Sequence, residues 1–243
     1  MTRVGGVAVA IVLAAALAGI DCALADPAED GQDAAHFLIF SGADLWRQGN
    51  FLYGGTVWAP FALDDDGPVV KLITTRGFYR YRSGTLGNSD VIGTMNAVAL
   101  MPGVHFTRSG VTVTVYAGLD RQSHALAPDD PGNAARGTHL GVRGAAELWF
   151  EPTSRTMVTG ALTMTTIASA YALRAAAGWR LFDKVYLGPQ AQFFGADNYR
   201  QWRLGLHLTG VTLLKFELQA GLGYASDDNG NGLFVQFGVT RKH

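Results

Sequence analysis

Cysteine is almost missing from this chain of 243 residues: Cys22 stands alone, and it falls in a segment that reads as removable. Disulfide staples and thiolate chemistry are therefore excluded from the remainder. Lysine is nearly as scarce, with Lys71, Lys184, Lys215 and Lys242 the full set, and charged residues make up only 16% of the chain. A soluble β-protein of this size needs a charged exterior, typically about 25% charged residues. The formal net charge of −1 gives no basic field, so nucleic acid is not an expected partner. Long apolar runs are lacking too. The clearest, Val7 to Ile20, is about 14 residues, against roughly 20 for a membrane-spanning helix.

That run has another reading. Arg3 gives a positive start, and Ala23-Leu24-Ala25 supplies a small-x-small cleavage site, so residues 1–25 are expected to be a secretory signal peptide. A lipid anchor at Cys22 is disfavoured because Asp21 stands where a small residue is needed. Residues 26–35, acidic and small, read as a flexible leader.

What the chain has in abundance is glycine, 31 residues, and alternation. Tyr171, Leu173, Ala175, Ala177, Trp179 and Leu181 alternate with Arg174, Gly178 and Arg180. Trp202, Leu204, Leu206 and Leu208 alternate with Gln201, Arg203, Gly205 and His207. Leu214, Phe216, Leu218, Ala220, Leu222 and Tyr224 alternate with Lys215, Glu217, Gln219, Gly221 and Gly223. A period of two puts one set on each face of a strand. The pattern predicts strands over His36–Arg47, Phe51–Ala59, Val69–Arg82, Val91–Met101, Val111–Leu119, Leu140–Leu148, Met157–Ala168, Tyr171–Phe182, Val185–Phe194, Tyr199–Thr209, Leu213–Ala225 and Leu233–Arg241. Pro102–Gly110 reads as a turn and Asp120–Gly137 as the longest irregular piece.

The expected fold is all-β: an antiparallel up-and-down closed β-barrel of about 12 strands over residues 36–243, of outer-membrane type, following a cleaved signal peptide. Alternation alone would also fit a soluble lipocalin-like barrel with its oily face inward. Three features favour the inverted arrangement. Charges share one parity with glycines, as in a crowded interior. Trp58, Tyr81, Phe150, Tyr171, Trp179, Tyr199, Trp202 and Tyr224 stand near strand ends, where interfacial girdles form. An export signal precedes the strands. In lipid, strands are satisfied only in a closed barrel, and a periplasmic N-terminus would place Asp120–Gly137 outside the cell.

Catalytic signatures are lacking. There is no G-x-S-x-G elbow, H-E-x-x-H or P-loop, and His36, His105, His124, His139, His207 and His243 have no ligand spacing, so no catalytic residue, metal or cofactor is expected. Asp227-x-Asn229-x-Asn231-Gly232 matches the opening of a calcium loop, but Gly238 replaces the twelfth-position Glu and the residues suit a hairpin tip. In the long loop, Asp129, Asp130 and Arg136 are candidate glycan contacts, although Pro-Asp-Asp-Pro-Gly also reads as an ordinary turn. Arg143, Glu147, Arg174, Arg180, Arg203, His207, Lys215 and Glu217 form a candidate interior charge network. Packing of a narrow bore explains them better than a path for an anionic glycan.

Several short motifs occur together: Ser41-Gly42-Ala43-Asp44-Leu45-Trp46-Arg47, Tyr79-Arg80-Tyr81-Arg82-Ser83-Gly84, Ala127 to Gly132 with Arg136-Gly137, Gly178-Trp179-Arg180-Leu181-Phe182-Asp183, and Tyr186-Leu187-Gly188-Pro189-Gln190-Ala191 running on to Gln201. In this order, across nearly the whole chain after residue 25, they resemble the BcsS family of bacterial cellulose-biosynthesis proteins. The resemblance implies a non-catalytic accessory role at the outer membrane beside a cellulose synthase. Outer-membrane lipid, cellulose or another exopolysaccharide, and components of the synthase complex are the implied partners. It carries over no site residue. Two alternatives stay open: a barrel enzyme acting on lipid or glycan, motivated by Ser123 and His124 as a hydroxyl and imidazole pair, and a soluble periplasmic glycan-binding barrel.

Overall fold

A computed structural model describes residues 34–182, 184–197 and 199–243; the expected signal peptide, and the leader as far as Asp33, lie outside the described residues. Twelve antiparallel strands form one closed barrel in which each strand pairs with its neighbours in sequence and β1 closes on β12. They are β1 (Phe37–Trp46), β2 (Gly49–Trp58), β3 (Gly67–Ser83), β4 (Ser89–Arg108), β5 (Val111–Ala127), β6 (Gly137–Thr153), β7 (Thr156–Thr165), β8 (Tyr171–Phe182), β9 (Val185–Ala196), β10 (Tyr199–Leu213), β11 (Phe216–Asp227) and β12 (Gly230–Lys242). Two single-turn 3-10 helices, Gly84–Leu86 and Ile167–Ser169, sit in loops. The seam is tied at its end by backbone hydrogen bonds between Phe37 and His243, at 2.9 and 2.8 Å. Closure leaves no strand edge unpaired, the condition lipid imposes.

The two rims differ. Beside β1 and β12 at the terminus end, turns at 109–110, 154–155 and 214–215 are two residues long, while 59–66 between β2 and β3 is an eight-residue connection. At the opposite, loop end, 128–136 forms the longest connection.

Alternation sorts the side chains as expected. Leu140, Val142, Leu204, Leu206, Leu222 and Phe237 are each more than half exposed on the outer wall, while Arg143, Arg174, Arg203 and His207 are buried in the lumen. Six of the eight expected girdle aromatics point outward, including Trp179 at the terminus end and Trp202 and Tyr224 toward the loop end. The other two, Tyr81 and Tyr199, turn inward and are 1% exposed. They occupy the inward parity of strand segments where rings fill the lumen.

Two predicted irregular segments are strand. β4 runs through Pro102–Arg108, pairing Gly103 with both Val69 and Tyr116. Proline donates no N–H, and the ladder to β5 accordingly skips Met101 and Pro102 before resuming at Gly103. β5 continues past Leu119 to Ala127, so the irregular connection shrinks to 128–136. The extension was illegible because its outward residues, Arg121, Ser123 and Ala125, are not oily while its inward Asp120, Gln122 and His124 are buried.

The glycines make room for rings. A Cβ at Gly42, Gly93 or Gly103 would collide with the ring of Tyr53, Tyr79 or Tyr116, so large aromatics lie flat against a neighbouring strand's backbone.

Candidate functional site

The lumen is the place where this fold concentrates chemistry, and its residues are paired rather than poised. Arg203 on β10 is 0% exposed and donates through Nη1 to both carboxylate oxygens of Asp44 on β1, at 2.7 and 2.9 Å. Its guanidinium also lies against Trp46, Phe194 and Phe234, with centroid distances of 4.7, 4.8 and 5.2 Å. From Asp44 the hydrogen bonds run on to Gln236, then Gln192 and Gln190, and reach Arg174 Nε. Five strands are thereby stitched across the bore.

Two further buried pairs share the lumen. Arg143 donates from Nε and Nη2 to Asp120, at 3.1 and 2.9 Å, and Thr165 donates to the same oxygen. Lys71 meets Glu147 at 2.7 Å between the rings of Phe40 and Tyr116. Charges removed from water are tolerated in such a space only when paired and hydrogen-bonded.

The sequence-predicted network is therefore partly regrouped. Arg143 and Glu147, expected to answer arginines and acids within the predicted set, instead pair with Asp120 and Lys71. His207 is buried and its Nε2 donates to the Ala177 carbonyl at 3.2 Å. Arg180 lies near the terminus end, against Tyr186 and 3.5 Å from Glu151. Lys215 is not in the lumen: it sits exposed in the β10–β11 turn. The register shift between Leu208 and Val211, with Leu214 at φ +58°, ends the alternation there. Glu217 is half-buried on β11, opposite Thr212 and Thr240.

Asp44, Lys71 and Asp120 were missed as charge partners. All three lie on the buried parity of their strands, which is the signal that could have found them.

At the loop end, 128–136 folds over the mouth. Asp130 is 3% exposed, accepting from Tyr81 at 2.9 Å, Thr85 at 2.6 Å and the Gly132 N–H at 3.1 Å. Burial works to raise its pKa, but these donors outweigh burial and hold the carboxyl below its ordinary value. Asn133 donates to the Tyr81 hydroxyl at 2.8 Å, and Ala135 is fully buried. Asp130 is thus spent on latching the loop, whereas Asp129 and Arg136 remain exposed and pair at 3.2 Å.

Other candidates resolve by geometry. Ser123 donates no bond to His124: it faces out and receives Thr138, while His124 faces in and meets Tyr79 and Gln122. The Asp227 carboxylate caps its hairpin by accepting the Asn229 N–H and the Tyr199 hydroxyl. Among the described residues, no group of three or more His, Cys, Asp or Glu is placed to hold a metal. Among the described residues, a cavity of about 20 Å³ beside Lys71 and Glu147 and one of about 10 Å³ beneath the β11–β12 hairpin are each about water-sized.

These features define a class: a twelve-stranded barrel of outer-membrane type whose lumen is packed with its own side chains. Solved barrels share the fold. The KdgM porin aligns with a TM-score of 0.52 at 9% identity, covering 85% of this chain and 99% of its own. A structure of KdgM porin in complex with disordered oligogalacturonate gives 0.51 at 10%, covering 85% and 99%. The translocator domain of the autotransporter NalP from Neisseria meningitidis gives 0.50 at 13%, covering 88% and 90%. Curated proteins yield no match. The particular family comes from sequence: the model for "Cellulose biosynthesis protein BcsS" matches residues 38–243, and the chain belongs to that family.

Proposed function

We propose that this protein is a non-catalytic accessory of cellulose biosynthesis, seated in the outer membrane, that anchors or organises the emerging polymer without conducting it. Membership of the family supports the link to cellulose. The observation that carries the non-conducting role is the lumen: Asp44, Arg203 and Phe51 are 0% exposed, and Lys71 and Gln192 are buried across the bore. A sugar chain would have to displace paired charges at several levels. In this reading the terminus end faces the periplasm and the loop end faces outward, which puts 128–136, the longest connection, outside as such barrels prefer. Exposed Asp129 and Arg136 then offer hydrogen bonds to glycan hydroxyls at the cell surface.

The test is a deletion strain carrying the wild-type chain or Asp129→Asn with Arg136→Gln. Loss of the chain should lower cell-retained cellulose while synthase activity in isolated inner membranes is unchanged. The double variant should recover less retention than wild type. Normal retained cellulose in the deletion strain would refute the role.

A further inference from the structure

The outer wall is oily around most of the barrel, but not on the upper part of β3 to β5. Across β8 to β11 the outward residues toward the loop end include Tyr171, Phe193, Trp202 and Tyr224, rings suited to the membrane interface, with one arginine, Arg200, above Trp202. On β5, Leu119 is followed at the next outward position by Arg121. On β4, Val98 is followed toward the loop end by Asn96, Thr94 and then Ile92, which lies opposite Arg80. On β3, Leu72 is followed by Thr74, Arg76, Phe78 and Arg80.

Register brings these residues together. Arg76 pairs with Asn96, Asn96 with Ser123, and Arg121 lies opposite Val98. Strand spacing of ~4.8 Å and a rise of ~3.3 Å per residue put the Arg76 and Arg121 Cα atoms about 12 Å apart, within joint reach of one anionic group. Arg76, Arg80 and Arg121 are exposed, and none has an ion-pair partner among the described residues. Arg82 above them is answered by Asp90 at 3.7 Å.

We infer that this face binds the phosphate groups of an outer-leaflet lipid of the lipid A type. Guanidinium groups grip phosphate through paired N–H donors. The arrangement favours a lipid over a soluble anion, because Arg121 stands directly above lipid-facing Leu119 and beside Val98, and Arg76 above Leu72 with Thr74 between, while the exposed Phe78 ring lies between Arg76 and Arg80. Acyl chains would lie on the oily wall while the phosphates meet the arginines. This rests on the outer-membrane reading above and adds a partner and an address on the barrel.

The experiment uses the full folded barrel in detergent, scored for folding by its heat-dependent shift on a denaturing gel. The probes are bisphosphorylated lipid A and the same lipid with its phosphates removed, with retention read by native mass spectrometry. Wild type should bind the phosphorylated lipid at least about tenfold more tightly than the other. The variant R76Q/R80Q/R121Q should lose that preference, whereas Arg155→Gln in the turn at the opposite end should keep it. Equal binding of the two lipids, or an undiminished preference in the folded triple variant, would overturn the inference. Displacement by millimolar inorganic phosphate would assign the arginines to a soluble anion and overturn it as well. A wild-type chain that never shows the heat-dependent shift would defeat the outer-membrane reading itself, and this inference with it.

Discussion

The wall made by β8 to β12 and the upper part of β3 to β5 are built from the same strand geometry with opposite polarity. On β10, Trp202, Leu204 and Leu206 face out and Gln201, Arg203 and His207 face in. On β3, Arg76, Arg80 and Arg82 face out, and Tyr79 and Tyr81 face in. Strand length accompanies the inversion on β3 to β5, though not on β6, whose 17 residues keep Leu140 and Val142 outward. β3, β4 and β5 have 17, 20 and 17 residues, against 12 each for β8 and β9. A spanning strand needs about 9 to 11, so the long strands rise past the hydrocarbon layer at the loop end. Outside are then lipid headgroups and water, and the rings of Tyr79 and Tyr81 turn within. The comparison teaches that the solvent at each height, not the strand, decides which parity is apolar.

Substitutions can break each half. The largest effect is expected at Asp44→Ala, which leaves Arg203 buried among three rings without its carboxylate. A loss of about 3–5 kcal/mol follows from stranding a buried charge, measurable as a fall in the temperature of the gel shift. Next comes Leu206→Lys on the oily wall of β10, costing about 2–4 kcal/mol if that wall meets mid-membrane lipid. Its counterpart, Thr94→Arg on the outward face of upper β4, should cost no more than about 1 kcal/mol if that face is wet. Refolding both variants into bilayers tests the difference; equal penalties would erase the contrast. Tyr81→Phe removes the hydroxyl that binds Asp130 and receives Asn133, for a loss of about 1–2 kcal/mol confined to the loop-end mouth.

The smallest effect is a pH dependence. The Asp130 carboxyl is held below its ordinary value in the folded state, so its contribution is fully present above the unfolded pKa of about 3.9 and is lost as pH falls through the lowered folded value. Proteolysis within 128–136 should therefore rise only on strong acidification in wild type. Asp130→Asn should remove that acid step.

Most of the barrel was legible because alternation is a direct record of two solvents. The twelve strands and the inward arginines follow from parity where the outside is oily. Where it is not, the reading failed for physical reasons. Upper β5 looked irregular because the outward Arg121 and Ser123 are polar, and Tyr81 looked interfacial because an aromatic near a strand end suits either face. Pairings were less legible still. Lys71 with Glu147 and Arg203 with Asp44 join residues 76 and 159 positions apart, set by closure of the barrel and invisible to local pattern. The latch role of Asp130 likewise depends on Tyr81 and Thr85 from another hairpin.

The most direct measurement is labelling of single cysteines on intact cells with a membrane-impermeant maleimide. Three variants suffice: Thr94→Cys on upper β4, Leu206→Cys on the oily wall of β10, and Lys215→Cys in the terminus-end turn. The account predicts labelling of Thr94→Cys on intact cells, protection of Leu206→Cys throughout, and labelling of Lys215→Cys only after the outer membrane is opened. Equal labelling of all three, or labelling of Leu206→Cys in a folded barrel, would contradict a lipid-embedded wall with a projecting outer face.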